Sequence, residues 1–187
     1  MPIGLVIVLV ALGLLVWLVV ASYNRLVGLT QRSQEAWSDV DVQLKRRTDL
    51  VPNLVETVKG YAGHEKTTLD QVVRARGAAV AAAGPEARAR AEGQLTDALR
   101  QLFALAEAYP DLKASESFRS LHDSLAEIEG TIQDARRYYN AVVRDLNTAV
   151  DSFPSNLIAS FFRFARRDYF ELERPEDRQV PRVSFGS

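Results

Sequence analysis

The two histidines, His64 and His122, are the side chains of this sequence best suited to metal binding or acid–base chemistry. Helical bundles that bind two metal ions use Glu-x-x-His pairs, which place both side chains on one helix face. Here Tyr61 stands three residues before His64, and Arg119 stands three residues before His122. Nor is His64, with Glu65 after it, followed by the second histidine of a zinc protease. The sequence therefore predicts no metal site of either type.

Other patterns of catalysis are also missing from the sequence. The chain has no cysteine, which excludes disulfides, thiolate metal sites and a cysteine nucleophile. It has neither a Walker sequence nor G-x-G-x-x-G. Ser38 and Ser115 have no histidine partner nearby in the sequence, although a pair formed by folding stays open. We therefore expect a protein that is not an enzyme, with no cofactor and no small-molecule substrate. The formal charge of -1 gives no indication of nucleic-acid binding.

Charged residues and a tryptophan occur together in the stretch "AWSDVDVQLKRRTDLVPNLVETVKGYAGHE", from Ala36 to Glu65. Buried ionic groups need partners, because their desolvation otherwise outweighs their interactions. One interpretation is therefore a polar network that joins two helices. The other is a docking surface for a protein, since tryptophan and arginine are favoured at binding interfaces. For either role the predicted residues are Trp37, Asp41, Arg46, Arg47, Asp49, Asn53 and Glu56.

A second polar group lies in "ARRYYN", near the end of the longest periodic segment of the domain. Arg136 and Asn140 each stand one position after an apolar residue that recurs at helical spacing. The simpler interpretation is a flank exposed to solvent. The alternative is that both side chains contact a neighbouring helix, and we add them to the predicted polar network on that basis.

These side chains must be positioned by helices, because no long segment alternates with the two-residue period of a strand. One helix is predicted to run unbroken from residue 3 to residue 49, where there is no proline. The stretch "TDLVPN" predicts a break, at which Pro52 either starts a second helix over residues 50–82 or kinks a helix. A third helix is predicted after Pro85, and "YPDLKAS" is predicted to be a loop.

The fourth predicted helix has an apolar seam with alternating spacings of three and four residues, which is typical of helices packed in a bundle. We predict an all-α fold, an antiparallel (up-and-down) bundle of about four long helices on an N-terminal transmembrane helix. The seam residues are Phe118, Leu121, Leu125, Ile128, Ile132, Ala135, Tyr139, Val142 and Leu146.

The N-terminal residues 2–24 contain no charged side chain, and roughly 20 apolar residues suffice to cross a bilayer as a helix. We predict a membrane anchor over residues 1–24, with residues 3–22 in the bilayer. A cleaved signal peptide is disfavoured, because no basic residue precedes the run and it is longer than the usual apolar region. The basic residues beyond the run begin with Arg25 and Arg32. They predict an outer N-terminus and a cytoplasmic domain at the inner cell membrane.

The remainder is predicted to be a helical domain over residues 25–172 and an extended or flexible tail over residues 173–187. The tail has two prolines, many charges and no periodicity. The aromatic segment before it, "DSFPSNLIASFFRFARRDYFEL", has a proline near a predicted helix start. This segment either packs on the bundle or lies on the bilayer surface with its arginines facing the headgroups.

Several stretches along the chain carry a family resemblance, and the longest is "SYNRLVGLTQRSQEAWSDVDVQLKRRTDLVPNLVETVKGYAGHE", from Ser22 to Glu65. The later ones are, in order, "ARGAA", "YPDLKASESF", "ARRYYNAVVRDLN", "FPSNLIA" and "VPRVSF". Together they resemble the LemA family, in the family's order and across almost the entire chain. Thr48 departs from the aromatic residue expected before Asp49, which puts one packing contact in doubt.

The resemblance implies a short outer N-terminus, one transmembrane helix and a cytoplasmic helical domain, with no established enzymatic activity and no active site. Family members often occur near envelope-stress genes, including those of membrane zinc proteases. Our interpretation is a non-enzymatic, membrane-anchored helical bundle that binds another protein of the bacterial envelope. The alternatives are a structural membrane protein that oligomerises with itself and an accessory of a membrane zinc protease.

Overall fold

The structure is a computed structural model, and it describes residues 2–171. Every regular element between these residues is a helix, which confirms the all-α prediction. The antiparallel order of the bundle stays a prediction, and the predicted tail over residues 173–187 lies outside the described residues. The helices are α1 (Pro2–Ala62), α2 (Lys66–Ala81), α3 (Pro85–Ala106), α4 (Pro110–Ala114), α5 (Glu116–Asp151) and α6 (Ser155–Phe161).

Helix α1 continues through Pro52, so the predicted break at this proline and the predicted helix over residues 50–82 are wrong. A proline within a helix has no N–H and leaves the carbonyl four residues earlier without its helical donor. That carbonyl belongs to Thr48, and Nε of Arg76 on α2 donates to its oxygen at 2.8 Å. A side chain from another helix thus supplies the hydrogen bond that Pro52 cannot make.

The predicted third helix is confirmed as α3, but the predicted loop over residues 109–115 is wrong because it contains the short helix α4. Pro110 occupies the first turn of α4, where its missing N–H has no helical partner in any case. Leu112 is fully buried and holds this helix to the core.

The apolar seam of α5 is confirmed by its burial. Seven of its nine residues are buried, and Leu121 and Ala135 are half-buried.

The described chain forms two compact units, and α1 and α5 contribute residues to both. The first unit comprises residues 2–41 and 133–169, and the second comprises residues 42–132 with Phe170 and Glu171.

Each unit has an apolar cluster of its own. The first unit buries Leu26 with Ala149 and Ala159, and half-buried Leu29 and Phe164 pack against them. The second unit has a larger core, built from α1 beyond residue 50, α2, α3, α4 and the start of α5. Its fully buried members are Val51, Leu54, Val58, Val72, Ala79, Leu95, Leu102 and Leu112.

The N-terminal part of α1 has the properties of a membrane span. Every large apolar side chain from Ile3 to Leu18 is exposed, and within the described residues α1 is long and apolar enough to cross a bilayer. Such a surface is unfavourable in water and matches the length of a hydrocarbon core. The chain is therefore a membrane-associated helical protein.

Candidate functional site

Arg47 on α1 is the predicted site residue that the structure buries most deeply, with 5% of its surface exposed. Its Nη1 lies 3.5 Å from Oε2 of Glu92 on α3. Its Nη2 donates to Oγ1 of Thr96 at 2.9 Å and lies 3.2 Å from Oε2 of Glu129 on α5. One guanidinium thus joins three helices of the second unit. We call Arg47, Glu92, Thr96 and Glu129 the arginine cluster.

The arginine cluster places two carboxylates around one cation. Glu92 is 1% exposed at its side chain, whereas the side chain of Glu129 is 29% exposed and reaches solvent. A planar guanidinium with several donors suits this task, because it can serve more than one acceptor at fixed angles. The contacts of Arg47 hold α1 to α3 and α5. Its side chain is too deeply buried to present its charge to a binding partner.

Four other predicted residues lie on the exposed side of α1 in the same unit. Arg46, Asp49, Asn53 and Glu56 are all exposed, and their spacings of three, four and three residues place them on one helix face. We call these four residues the α1 outer face. Nη1 of Arg46 donates to Oε1 of Gln43 at 3.2 Å, and Oε1 of Glu56 lies 3.5 Å from Nζ of Lys59. All of these contacts are local to α1.

The rest of the predicted residues belong to the first unit. The ring of Trp37 on α1 packs against the ring of Tyr139 on α5, with centroids 5.4 Å apart. Asp41 is exposed, and Arg136 and Asn140 are half-buried. Each unit therefore contains some of the predicted site residues. In the second unit Arg47 is buried, and the four residues of the α1 outer face are exposed.

Sequence reasoning missed the partners of Arg47. The predicted polar network contains neither Glu92 nor Thr96 of α3, nor Glu129 of α5. A signal for Glu92 does exist, because it precedes Leu95, Leu99 and Leu102 at spacings of three, four and three residues. An acidic residue at a seam position of a helix must find a partner when the seam is buried.

The first unit contains a second polar arrangement, formed by neutral side chains of α5. Nδ2 of Asn147 donates to the backbone oxygen of Arg167 at 2.9 Å, and the backbone N–H of Arg167 donates to Oδ1 of Asn147 at 2.9 Å. The hydroxyl of Tyr139 donates to the backbone oxygen of Asp168 at 2.8 Å. We call these contacts of Asn147 and Tyr139 the C-terminal clamp, since they hold a segment without regular structure.

Burial raises the pKa of Tyr139 to about 12. The nearby charge of Arg167 acts in the opposite direction, and that of Asp168 adds to the rise. The phenol of Tyr139 therefore keeps its proton at neutral pH and serves as a hydrogen-bond donor in the clamp.

His122 and Ser115 both make contacts within the second unit. The ring of His122 packs edge-on against Phe103 at 4.8 Å, and Oγ of Ser115 accepts a long hydrogen bond of 3.5 Å from the N–H of Phe118. The hydroxyl of Tyr109 donates to Oε1 of Glu65 at 3.1 Å, and this bond raises the pKa of Tyr109. Between residues 2 and 171, no group of three or more histidine and acidic side chains could hold a metal ion.

Comparison with known proteins gives a match to one family. The model of the LemA family matches residues 36–185, which is most of the chain. The matched range includes the arginine cluster, the α1 outer face and the C-terminal clamp.

The individual proteins that match this chain are 24–26% identical to it. Magnetosome protein MamQ 2 of Paramagnetospirillum magneticum is 26% identical over 179 residues, covering 82% of this chain and 65% of the relative. The match thus spans slightly less than two thirds of that protein. Magnetosome protein MamQ of Magnetospirillum gryphiswaldense is 25% identical, covering 93% of this chain and 74% of the relative. Protein LemA of Metamycoplasma hominis is 24% identical, covering 81% and 69%.

Proposed function

We propose that this chain, which belongs to the LemA family, is a non-enzymatic membrane scaffold that binds another protein of the bacterial envelope. The observation that carries the proposal is the continuity of α1, from the exposed apolar segment after Ile3 to Ala62. A partner that binds the α1 outer face is therefore held on the same helix that enters the bilayer.

The chemistry of the α1 outer face supports recognition of a protein. Arg46 offers a cation, Asp49 and Glu56 offer anions, and Asn53 offers both donors and acceptors. Charges of both signs in a fixed order favour one orientation of a partner with the complementary order. The side chain of Val42, with 52% of its surface exposed, adds an apolar contact beside them.

The interior arrangement keeps this face in place. The arginine cluster joins α1 to α3 and α5 within the second unit, and the hydrogen bond from Arg76 joins α1 to α2. Rigid presentation lowers the entropy lost on binding. On this proposal Arg47 positions the surface, and Arg46 with its exposed neighbours forms it.

Photocrosslinking in cells tests the proposal. A photoreactive amino acid replaces Arg46 in the full chain, and the matched control carries it at Arg100, an exposed arginine on α3. We expect one dominant heterologous adduct from position 46 that is absent at position 100 and is lost in a Glu56→Lys background. Identical adducts from both positions would overturn the proposal. The family resemblance makes a membrane zinc protease the first partner to look for.

The proposal also places the domain in the cytoplasm, following the basic residues Arg25 and Arg32 after the apolar segment. Because the chain has no cysteine, one cysteine at the exposed Asp97 gives a single labelling site. We expect a membrane-impermeant maleimide to label it only after the cells are permeabilised. Labelling in intact cells would reverse the assigned orientation.

Self-association is the second candidate function, and α2 carries the observation that favours it. Val73 and Val80 lie seven residues apart on one face of α2, and 53% and 54% of their surfaces are exposed. Two such faces could pack against each other as in a coiled coil. The mass of the full chain in detergent tests this: an oligomer that dissociates in Val73→Lys/Val80→Lys would favour self-association, whereas a monomer would exclude it.

A further inference from the structure

Helix α6 lies at the level where the uncharged segment of α1 ends. Tyr23 belongs to the last turn before Arg25, the first charged residue of the chain. The ring centroid of Tyr23 lies 4.8 Å from that of Phe162 and 5.7 Å from that of Phe164. Ala159, at the centre of α6, is buried against Leu26. These contacts all belong to the first unit, and they fix α6 beside the end of the membrane span.

The side of α6 away from this contact is apolar and exposed. Phe153, two residues before α6 begins, and Phe161, at its end, each have 79% of their surface exposed. That fraction is higher than the 75% of Ile3 in the membrane span itself. Leu157 lies one helical turn before Phe161 and is 60% exposed. Large apolar side chains grouped in this way mark a contact surface.

Arg163 follows the end of α6, in a backbone conformation that favours glycine. The N–H of Phe164 donates to the oxygen of Ala159 at 2.9 Å, closing the helix through Arg163 in the left-handed conformation at φ 60°. Glycine is the usual residue at this position because any Cβ is strained there. Arg163 is exposed, and so is Arg166 three residues later. The left-handed backbone therefore places an exposed arginine two residues after Phe161.

We infer that Phe153, Leu157 and Phe161 insert into the interfacial layer of the bilayer while Arg163 binds anionic headgroups. Aromatic side chains and arginines are the residues that anchor proteins at this depth. A lipid surface is the occupant that the structure favours, because Phe161 is continuous with the end of the span: its ring lies 5.0 Å from that of Phe162, which packs on Tyr23. The chain would then contact the membrane at two places, once through α1 and once through α6.

Spin labels at single cysteines test the insertion, since the chain has no cysteine of its own. The labelled variants are Phe153→Cys and Phe161→Cys. The matched control is Tyr138→Cys, because Tyr138 is also an exposed aromatic residue of the first unit, with 56% of its surface exposed. The full chain is reconstituted in vesicles of phosphatidylcholine and phosphatidylglycerol, and the accessibility of each label to oxygen and to a water-soluble nickel complex is measured.

Labels at 153 and 161 are expected to be more accessible to oxygen than to nickel, with the reverse at 138. Three equally nickel-accessible labels would overturn the proposal. Low accessibility of labels 153 and 161 to both reagents would also overturn it, because the rings would then be covered by protein, either a second copy or a partner.

The headgroup contact has a separate test in Arg163→Gly, with Arg163→Lys as the control that keeps the charge. Glycine relieves the backbone strain, so we expect the fold to be retained. In phosphatidylglycerol vesicles Arg163→Gly should raise the nickel accessibility of the label at 161 at least twofold, and Arg163→Lys should leave it unchanged. Equal accessibility in both variants would show that the arginine does not bind headgroups.

Discussion

The two units of the molecule bury polar side chains in different ways. In the second unit Arg47 and Glu92 form a buried ion pair that joins α1 to α3. In the first unit Asn147 and Tyr139 are neutral, and they satisfy backbone groups of a segment that has no regular structure. Charges thus join regular elements in one unit, while amide and hydroxyl groups replace missing secondary structure in the other.

The two arrangements differ in which groups lose a partner when one side chain is removed by substitution. Removing Arg47 takes a cation away from the buried carboxylate of Glu92, whereas removing the side chain of Asn147 takes a neutral partner away from two backbone groups of Arg167. A buried charge that loses a partner costs more than a dipole that does. The variants below separate the two arrangements, and each is measured by urea unfolding of the full chain in detergent unless stated otherwise.

Arg47→Ala should have the largest effect, lowering the free energy of unfolding by about 3–5 kcal/mol, because one partner of a buried ion pair is lost. Arg47→Met/Glu92→Leu should recover most of this loss, since it removes both charges and fills the space. The control is Arg46→Ala, next in sequence and exposed, which should change the value by less than about 0.5 kcal/mol. Equal effects of Arg46→Ala and Arg47→Ala would contradict the burial of the cluster.

Asn147→Ala should lower the free energy of unfolding by about 2 kcal/mol, because it removes two hydrogen bonds of about 1 kcal/mol each. Amide hydrogen exchange of Arg167 should become faster at the same time. Thr148→Ala, exposed and next in sequence, serves as the control and should leave the exchange of Arg167 unchanged. Unchanged exchange in Asn147→Ala would show that the clamp does not hold this segment.

Arg76→Ala should lower the free energy of unfolding by about 1–2 kcal/mol, because the carbonyl of Thr48 loses its donor. In a Pro52→Ala background the same substitution should have a smaller effect, since residue 52 then supplies the helical N–H. Arg74→Ala, on the exposed side of α2, is the control. If the effects of the Pro52 and Arg76 substitutions on the free energy of unfolding were additive, Arg76 would not be supplying the hydrogen bond that Pro52 cannot donate.

Tyr139→Phe should have the smallest effect at neutral pH, about 1 kcal/mol for the hydrogen bond to Asp168. The pKa of Tyr139 rises from about 10 in the unfolded chain to about 12 in the folded protein, so folding favours the protonated form. Its contribution is therefore complete below pH 10 and is lost as the pH rises toward 12.

The Tyr139→Phe variant should accordingly show a weaker fall of stability between pH 10 and 12 than the parent protein. Tyr138→Phe is the matched control, because Tyr138 is exposed and adjacent in the sequence. A pH dependence altered equally by both substitutions would assign the alkaline transition to other groups.

Sequence patterns predicted the features that depend on local spacing. The seam of α5 from Phe118 to Leu146 and the apolar segment of α1 each follow from a period or a length that one helix determines alone. The continuation of α1 through Pro52 could not be predicted from local spacing, because the carbonyl of Thr48 receives its hydrogen bond from Arg76, a residue of another helix. The short helix α4 was missed because one turn around Leu112 has no periodicity to detect.

The candidate site was harder to predict, because burial of a charge depends on partners distant in sequence. Arg47 and Arg46 are adjacent and of the same type, yet one is inside the second unit and the other is outside. Glu92 lies 45 residues after Arg47 and Thr96 lies 49 residues after it. For the aromatic segment near α6, the contacts of Phe162 and Phe164 with Tyr23 agree with packing on the bundle, and its position on a bilayer surface stays a prediction.

The hydrogen bond from Arg76 to Thr48 has a consequence for biosynthesis. Arg76 is made 28 residues after Thr48, so a nascent chain that has just completed the turn at Pro52 still has one carbonyl without its donor. The carbonyl of Thr48 is hydrogen-bonded to water until α2 has been synthesised and has packed against α1. The apolar segment near the N-terminus needs no such help, because its helical hydrogen bonds are all internal. Membrane insertion can therefore precede completion of the same helix, whose far end is finished only when the domain assembles.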